Sequence, residues 1–262
     1  MCPFGGALLG GEGGPLSKAE LVCHCLLIET GDVLVLVDTG LGTGDVAQPK
    51  RLGQPFRAMV RPECRAEEVA IRQIERLGLD PADVRHIVLT HLDLDHAGGL
   101  SDFPDAEVHV YGPELAISKA PPLRERGRYL EAHWSHGPKW VEHGTEGDSW
   151  FGFDSVRLLP GLDAEIALVP LLGHTAGHAG IALNTPEGWL LHCGDAYFHQ
   201  GDVATPPAGP AGMRLFQSLV QHDGRARKDN QERLRELARE HGGQVRLVCS
   251  HDPRELAREQ AR

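Results

Sequence analysis

Ten consecutive residues, Thr90-His91-Leu92-Asp93-Leu94-Asp95-His96-Ala97-Gly98-Gly99, place two imidazoles and two carboxylates within six positions. These side chains bind divalent metals, and the cluster carries that reading where a lone histidine would not. Three shorter runs have the same character: Gly173-His174-Thr175-Ala176-Gly177-His178, His192-Cys193-Gly194-Asp195 and Cys249-Ser250-His251-Asp252. Each follows an apolar stretch that reads as a strand, and strand ends in an α/β sheet are where active-site loops sit. Together the four runs hold enough ligands for two metal ions. Gly98 and Gly99 are read as residues that let the backbone turn sharply beneath them.

The elements that must position these side chains are short. Residues 21–28 and 33–37 are nearly continuous apolar runs around Glu29-Thr30-Gly31-Asp32, the pattern of a hairpin of buried strands. Residues 66–77 carry Ala70, Ile71, Ile74 and Leu77 at helical spacing, with Gly78 as the stop. Strands are expected at 86–90, 107–111, 156–159, 165–171, 179–184, 188–193 and 245–249. A second helix is expected at 230–241, with Leu234, Leu237 and Ala238 inward. Strand, helix, strand in sequence indicates a layered α/β fold. Residues 113–150 depart from this pattern and hold three of the four tryptophans, Trp134, Trp140 and Trp150. They read as an insertion whose Tyr129, His133, Trp134, His136 and Trp140 either cover the site or anchor the segment to the body. No repeat or linker divides the chain, so residues 1–262 are expected to form a single domain.

Composition excludes several classes. With 262 residues, 41% hydrophobic and 24% charged, the chain is globular rather than disordered, collagenous or coiled-coil. No apolar run reaches the roughly 20 residues of a membrane span, and the first residues lack a signal-peptide layout, so a cytoplasmic protein without a membrane partner is expected. A net charge of −11 argues against nucleic acid as a partner. Six cysteines without a CxxC pair do not read as a disulfide framework, and Cys23 and Cys25, two apart in an expected strand, read as buried thiols. A small molecule is the expected partner, and a homodimer is compatible with the sequence.

The runs HLDLDHAGG, GHTAGH, GDAYF and CSHD, in that order and preceded by Leu36-Val37-Asp38-Thr39-Gly40, resemble the metallo-β-lactamase-fold metallohydrolases over roughly residues 21–252. The resemblance implies a four-layer αβ/βα sandwich with a dinuclear site at one edge of the sheets. It implies one metal held by His91, Asp93 and His174, the other by Asp95, His96 and His251, and Asp195 bridging them. Asp38 would be a supporting residue beside the site. His178 falls outside the ligand set, because the family uses the first histidine of GHxxGH, and His24, His86 and His192 read as hydrogen-bonded strand histidines. The usual first motif is HxHxDH, and here Asp93 replaces its second histidine, as carboxylates do in flavodiiron-like proteins. A carboxylate is a harder ligand, which moves preference from zinc towards iron or manganese, with zinc still first. It also lowers the formal charge of the centre by one, so a weaker Lewis acid is expected.

The expected activity is hydrolysis of a small-molecule ester or lactone. A hydroxide shared by the two metals would attack the acyl carbon while Asp95 passes a proton to the departing oxygen. Asp95, Asp195 and Tyr197 are the catalytic candidates; Tyr197 either offers its phenol to a substrate carbonyl or packs at a strand's end. Lactonases of the superfamily share this size, whereas a glyoxalase-type thioesterase adds a helical region after the bridging aspartate, and only 56 positions separate Asp195 from His251. A di-iron redox protein resembling the flavodiiron site and a small-molecule phosphoesterase are the alternatives.

Overall fold

The computed structural model describes every residue except residue 12 and residues 160–163. The chain divides into two compact units, Cys23–Gly144 and the pair of segments Met1–Val22 and Thr145–Arg262.

The unit Cys23–Gly144 is built on a five-stranded sheet of order β1-β2-β3-β4-β5, with β1 Leu26–Thr30, β2 Val33–Val37, β3 Val84–Val88, β4 Glu107–Tyr111 and β5 Lys139–His143. Only β1 and β2 pair antiparallel, through the expected hairpin, in which Gly31 takes a φ of 56° that a residue with a side chain resists. The strand expected from residue 21 begins only at Leu26, because the Leu21 and Val22 amides donate to the Met1 and His251 carbonyls instead. β5 lies inside the stretch read as an insertion, where Lys139, Val141 and His143 pair along β4 and extend the sheet. Its mixed composition of Lys, Trp, Val, Glu and His conceals the strand period.

The helices of this unit are α1 Thr43–Ala47, α2 Gln54–Val60, α3 Ala70–Arg76, α4 Leu94–Ala97 and α5 Gly112–Lys119. One apolar cluster joins Leu34, Leu36, Ile87, Val108 and Val110 of the strands to Ile74 of α3, Ala97 of α4 and Leu115 of α5. Each such buried Leu, Ile or Val side chain stabilises the unit by about 1.5–3 kcal/mol relative to exposure.

The other unit carries a six-stranded sheet of order β11-β10-β9-β8-β7-β6, comprising β6 Asp148–Trp150, β7 Phe153–Leu158, β8 Ile166–Pro170, β9 Ala179–Thr185, β10 Gly188–His192 and β11 Val245–Val248. β11 runs parallel to β10, and the remaining pairs are antiparallel. Its helices are α6 Ala211–Val220, α7 Gly224–His241 and α8 Pro253–Gln260. α7 starts earlier than expected, where the Asp223 side chain accepts from the Arg225 and Ala226 amides, and it buries Leu234 and Leu237 as expected. α6 lies outside the helices expected from the sequence; Met213, Phe216 and Val220 share its inward face, and its buried Gln217 is satisfied by Asp202, Arg227 and Gln231. Among the described residues no helix is long and apolar enough to cross a membrane.

Candidate metal centre

In the unit Cys23–Gly144, β3 delivers His91 just beyond its C-terminal end, and α4 presents Asp95 and His96. The two imidazoles lie 4.0 Å apart between ring centres and are almost fully buried. Asp38, directly after β2, orients both. Its Oδ1 accepts from the Thr90 amide at 2.8 Å, and its Oδ2 accepts from the Thr90 hydroxyl at 2.8 Å and from His96 Nδ1 at 2.8 Å. The Thr90 oxygen, its own proton given to Asp38, accepts from His91 Nδ1 at 2.9 Å. One buried carboxylate therefore fixes the tautomer of both histidines and leaves each Nε2 available as a donor to a metal. Asp38 sits at φ 54°, a left-handed conformation that aspartate tolerates better than most residues.

The role expected for the two glycines is corrected. Gly98 and Gly99 have φ of −62° and −90°, ordinary values that call for no sharp turn. What they supply is proximity: a Cβ on Gly98 would stand 2.5 Å from Asp45 Oδ2 and 2.7 Å from the Gly40 carbonyl, and one on Gly99 would stand 2.9 Å from the Thr39 carbonyl.

Asp93 occupies the N-cap position of α4 without capping it. Its Oδ2 lies 3.5 Å from His91 Nε2, and its Oδ1 pairs with Arg128 Nε at 2.8 Å. Burial works against the Arg128 charge, but Asp93, then Tyr129 and Glu114, outweigh it and hold the guanidinium firmly protonated. Arg128 is a residue of the candidate site that sequence reasoning missed, since no spacing rule connects it to Asp93. It also changes the charge argument. An aspartate paired with an arginine carries no net charge, as a neutral histidine does, so the lower formal charge expected from Asp93 is offset by its partner.

Other members of the 113–150 stretch are tied inward. The Tyr129 hydroxyl donates to Glu114 Oε1 at 3.4 Å, the same oxygen that accepts the Leu92 amide at 3.0 Å. His133 Nε2 meets Asp45 Oδ1 at 2.8 Å, and Arg51 Nε meets the same oxygen at 3.0 Å. Trp134 and Trp140 pack against the apolar cluster of this unit.

In the other unit, three strand ends supply His174 after β8, Asp195 after β10 and His251 after β11. Asp195 Oδ2 lies 3.3 Å from His174 Nε2, and His251 Nε2 lies 3.1 Å from Asp195. His251 Nδ1 donates to the Val22 carbonyl at 2.7 Å, which presents Nε2 to Asp195. His178 is not aimed as a ligand: its Nδ1 donates to the Leu171 carbonyl at 3.0 Å and its Nε2 accepts the Asp195 amide at 2.9 Å, bracing the aspartate backbone. Gly173 has φ 130°, and a Cβ there would meet the Arg227 amide nitrogen at 2.2 Å, so only glycine lets the loop carrying His174 pass α7. Phe198 sets its ring 5.7 Å from that of His174 and 4.9 Å from that of His251, an apolar wall beside the donors.

Tyr197 is placed for packing. It is fully buried in the apolar cluster, and its hydroxyl donates to Glu255 on α8 at 3.1 Å. Cys193 and Cys249 belong to the same cluster, and burial raises both thiols. Burial also pushes Glu255 up to about 7, against the pull of the Cys249 amide, which donates to it at 2.7 Å. A carboxyl raised in the folded state contributes stability in full below its unfolded value near 4.3 and loses it as pH climbs through 7, a loss of about 3 kcal/mol. Glu255→Gln is expected to flatten that decline. Urea midpoints at pH 5 and pH 8 check it, and an equal decline in both proteins would refute the assignment.

The model of the metallo-beta-lactamase superfamily matches residues 19–241. The chain belongs to that superfamily. A protein of Mycobacterium tuberculosis named "probable metallo-hydrolase" is 48% identical over 244 residues, 92% of this chain and 78% of that protein. An N-acyl homoserine lactonase of Azorhizobium caulinodans is 28% identical over 197 residues, 73% of this chain and 67% of the lactonase. A solved N-acyl homoserine lactone hydrolase, with N-hexanoyl-L-homoserine at its catalytic metal centre, shares the fold at a TM-score of 0.71 and 19% identity, covering 100% of this chain and 92% of that one. The α/β fold expected from the motifs is thus the metallo-beta-lactamase fold.

Proposed function

We propose that this metal-dependent hydrolase opens the ester bond of a small lactone, with His91, Asp93, Asp95, His96, His174, Asp195 and His251 together holding two divalent ions, zinc first. The observation that carries the reading is the orientation of the donors. His91, His96 and His251 each commit Nδ1 to an oxygen acceptor, which leaves three Nε2 atoms as ligands alongside carboxylate oxygens, a set suited to zinc-type divalent ions. The lactonase relatives support the choice of substrate class, and they do not favour the redox or phosphoesterase alternatives.

Bound there, divalent ions would polarise the acyl oxygen and lower the pKa of water. The protein's own part is orientation and proton movement. Asp38 and Thr90 hold His91 and His96, the Val22 carbonyl holds His251, His178 braces Asp195, and Arg128 fixes Asp93. As water adds to the acyl carbon and the ring C–O bond breaks, the Asp95 carboxylate takes the proton lost by the water and returns it to the departing alkoxide, giving a hydroxy acid.

Zinc-loaded protein should hydrolyse N-acyl homoserine lactones and simple γ-lactones with kcat/KM at least about tenfold above aryl esters, thioesters and bis-p-nitrophenyl phosphate, a margin within reach of pocket contacts. A preference for the phosphodiester or thioester, or lactone turnover that survives complete metal removal, would overturn the proposal.

A further inference from the structure

The five-stranded sheet carries a second set of metal-ligating side chains, separate from the 90–99 loop. His86 on β3 and Glu107 on β4 are register partners, and His109 follows two residues along β4. Because side chains alternate along a strand, all three stand on one face, opposite Ile87 and Val108 of the apolar cluster. His86 Nδ1 lies 3.1 Å from His109 Nε2 and 3.7 Å from Glu107 Oε2, and one donor atom from each residue falls within 4.8 Å of the others. Zinc–nitrogen bonds of about 2.0–2.1 Å and zinc–oxygen bonds of about 2.0–2.2 Å at tetrahedral angles set donors roughly 3.3–3.5 Å apart, which the two observed spacings bracket.

The surroundings are those of a ligand set. His109 Nδ1 lies 2.9 Å from His143 Nε2 on β5, so an N–H shared with His143 can fix the tautomer that turns the His109 Nε2 lone pair towards His86. Burial, followed by the neighbouring His143 and His86, pulls His109 down to about 4, which keeps it neutral and able to ligate at pH 7. Glu107 is exposed and His86 half-buried, which opens the group to solvent on one side, while His109 is buried. None of these residues has a part in the proposed hydrolysis.

We propose that His86, Glu107 and His109 form an additional site for one zinc-type divalent cation, clamping β3 to β4 independently of the hydrolytic centre. The competing arrangement, a chain of N–H···N hydrogen bonds through His86, His109 and His143, has the same spacings without an ion, and the experiment must separate the two.

Full-length protein is dialysed against buffered micromolar free zinc and its zinc content measured beside His86→Asn and Glu107→Gln. Wild type is expected to hold one zinc per chain more than His86→Asn, with lactone hydrolysis retained in both variants and the zinc-induced rise in Tm smaller in each. In 15N spectra of the wild type, the His109 Nε2 resonance should shift on zinc addition as a ligated nitrogen does. Equal zinc content in all three proteins, or a His109 Nε2 signal unmoved at saturating zinc, would overturn the site. The spectral measurement decides by itself if a variant fails to fold. Because the readout is a difference in zinc content at residues outside the hydrolytic set, failure here leaves the lactonase proposal standing.

Discussion

Asp38→Ala should weaken metal binding about 10–100-fold, the range found when a group supporting a metal-bound histidine is lost. The size follows from how much converges on one carboxylate. The Thr90 amide, the Thr90 hydroxyl and His96 Nδ1 all donate to Asp38, and His91 reaches it through Thr90. Alanine removes the acceptor from each and leaves buried donors unsatisfied, at about 1–3 kcal/mol apiece. It also places a residue poorly suited to φ 54° at the end of β2. Asp38→Asn separates the two effects. Asparagine accepts the backbone conformation as readily as aspartate, but its amide NH2 faces donors where an acceptor stood. Zinc affinity measured by chelator competition should fall in both variants, whereas the melting temperature should fall less for asparagine. Wild-type affinity in Asp38→Asn would mean that Asp38 does not orient the histidines.

Removing Arg128 should produce a different signature. The Arg128 and Asp93 side chains are 12% and 13% exposed, and truncating one partner of a buried pair costs about 3–5 kcal/mol, with this pair at the lower end because both ends retain some water. In metal-free Arg128→Met, Asp93 loses its counter-charge. Adding zinc supplies a cation to the same carboxylate, so zinc should raise the Tm of the variant by several degrees more than it raises that of wild type. Asp93→His alone, the change that restores the common motif, should be harmful because it sets an imidazole against Arg128. The double variant Asp93→His/Arg128→Met should recover part of the loss, since both misfits go together. Equal zinc-induced shifts in wild type and Arg128→Met would rule out the coupling of this pair to metal binding.

Much of the candidate site was legible because its parts are local. Each candidate metal-binding run is a few residues at the end of an apolar strand, and β2, β4, β9 and β10 were visible by the same apolar patterning. What lies beyond the runs depends on contacts that no short window contains. Arg128 meets Asp93, Glu114 accepts the Leu92 amide, and His178 braces Asp195, each across a stretch of chain that nothing in the sequence folds back. β5 was lost for a related reason. Its mixed residues break the hydrophobic period, and its buried His143 makes sense only once its partner His109 on β4 is known. The two glycines after His96 were noticed for the wrong property, because close approach of the loop after β2 and of α1 leaves no trace in local sequence.

That close approach closes residues 98 and 99 to protein engineering. Any other amino acid brings a Cβ into the Thr39 and Gly40 carbonyls or the Asp45 carboxylate, so a saturation library at either position should return essentially the parent codon after selection for folded protein. Substitution is tolerated instead at residues whose side chains face open water, such as Leu123, 80% exposed.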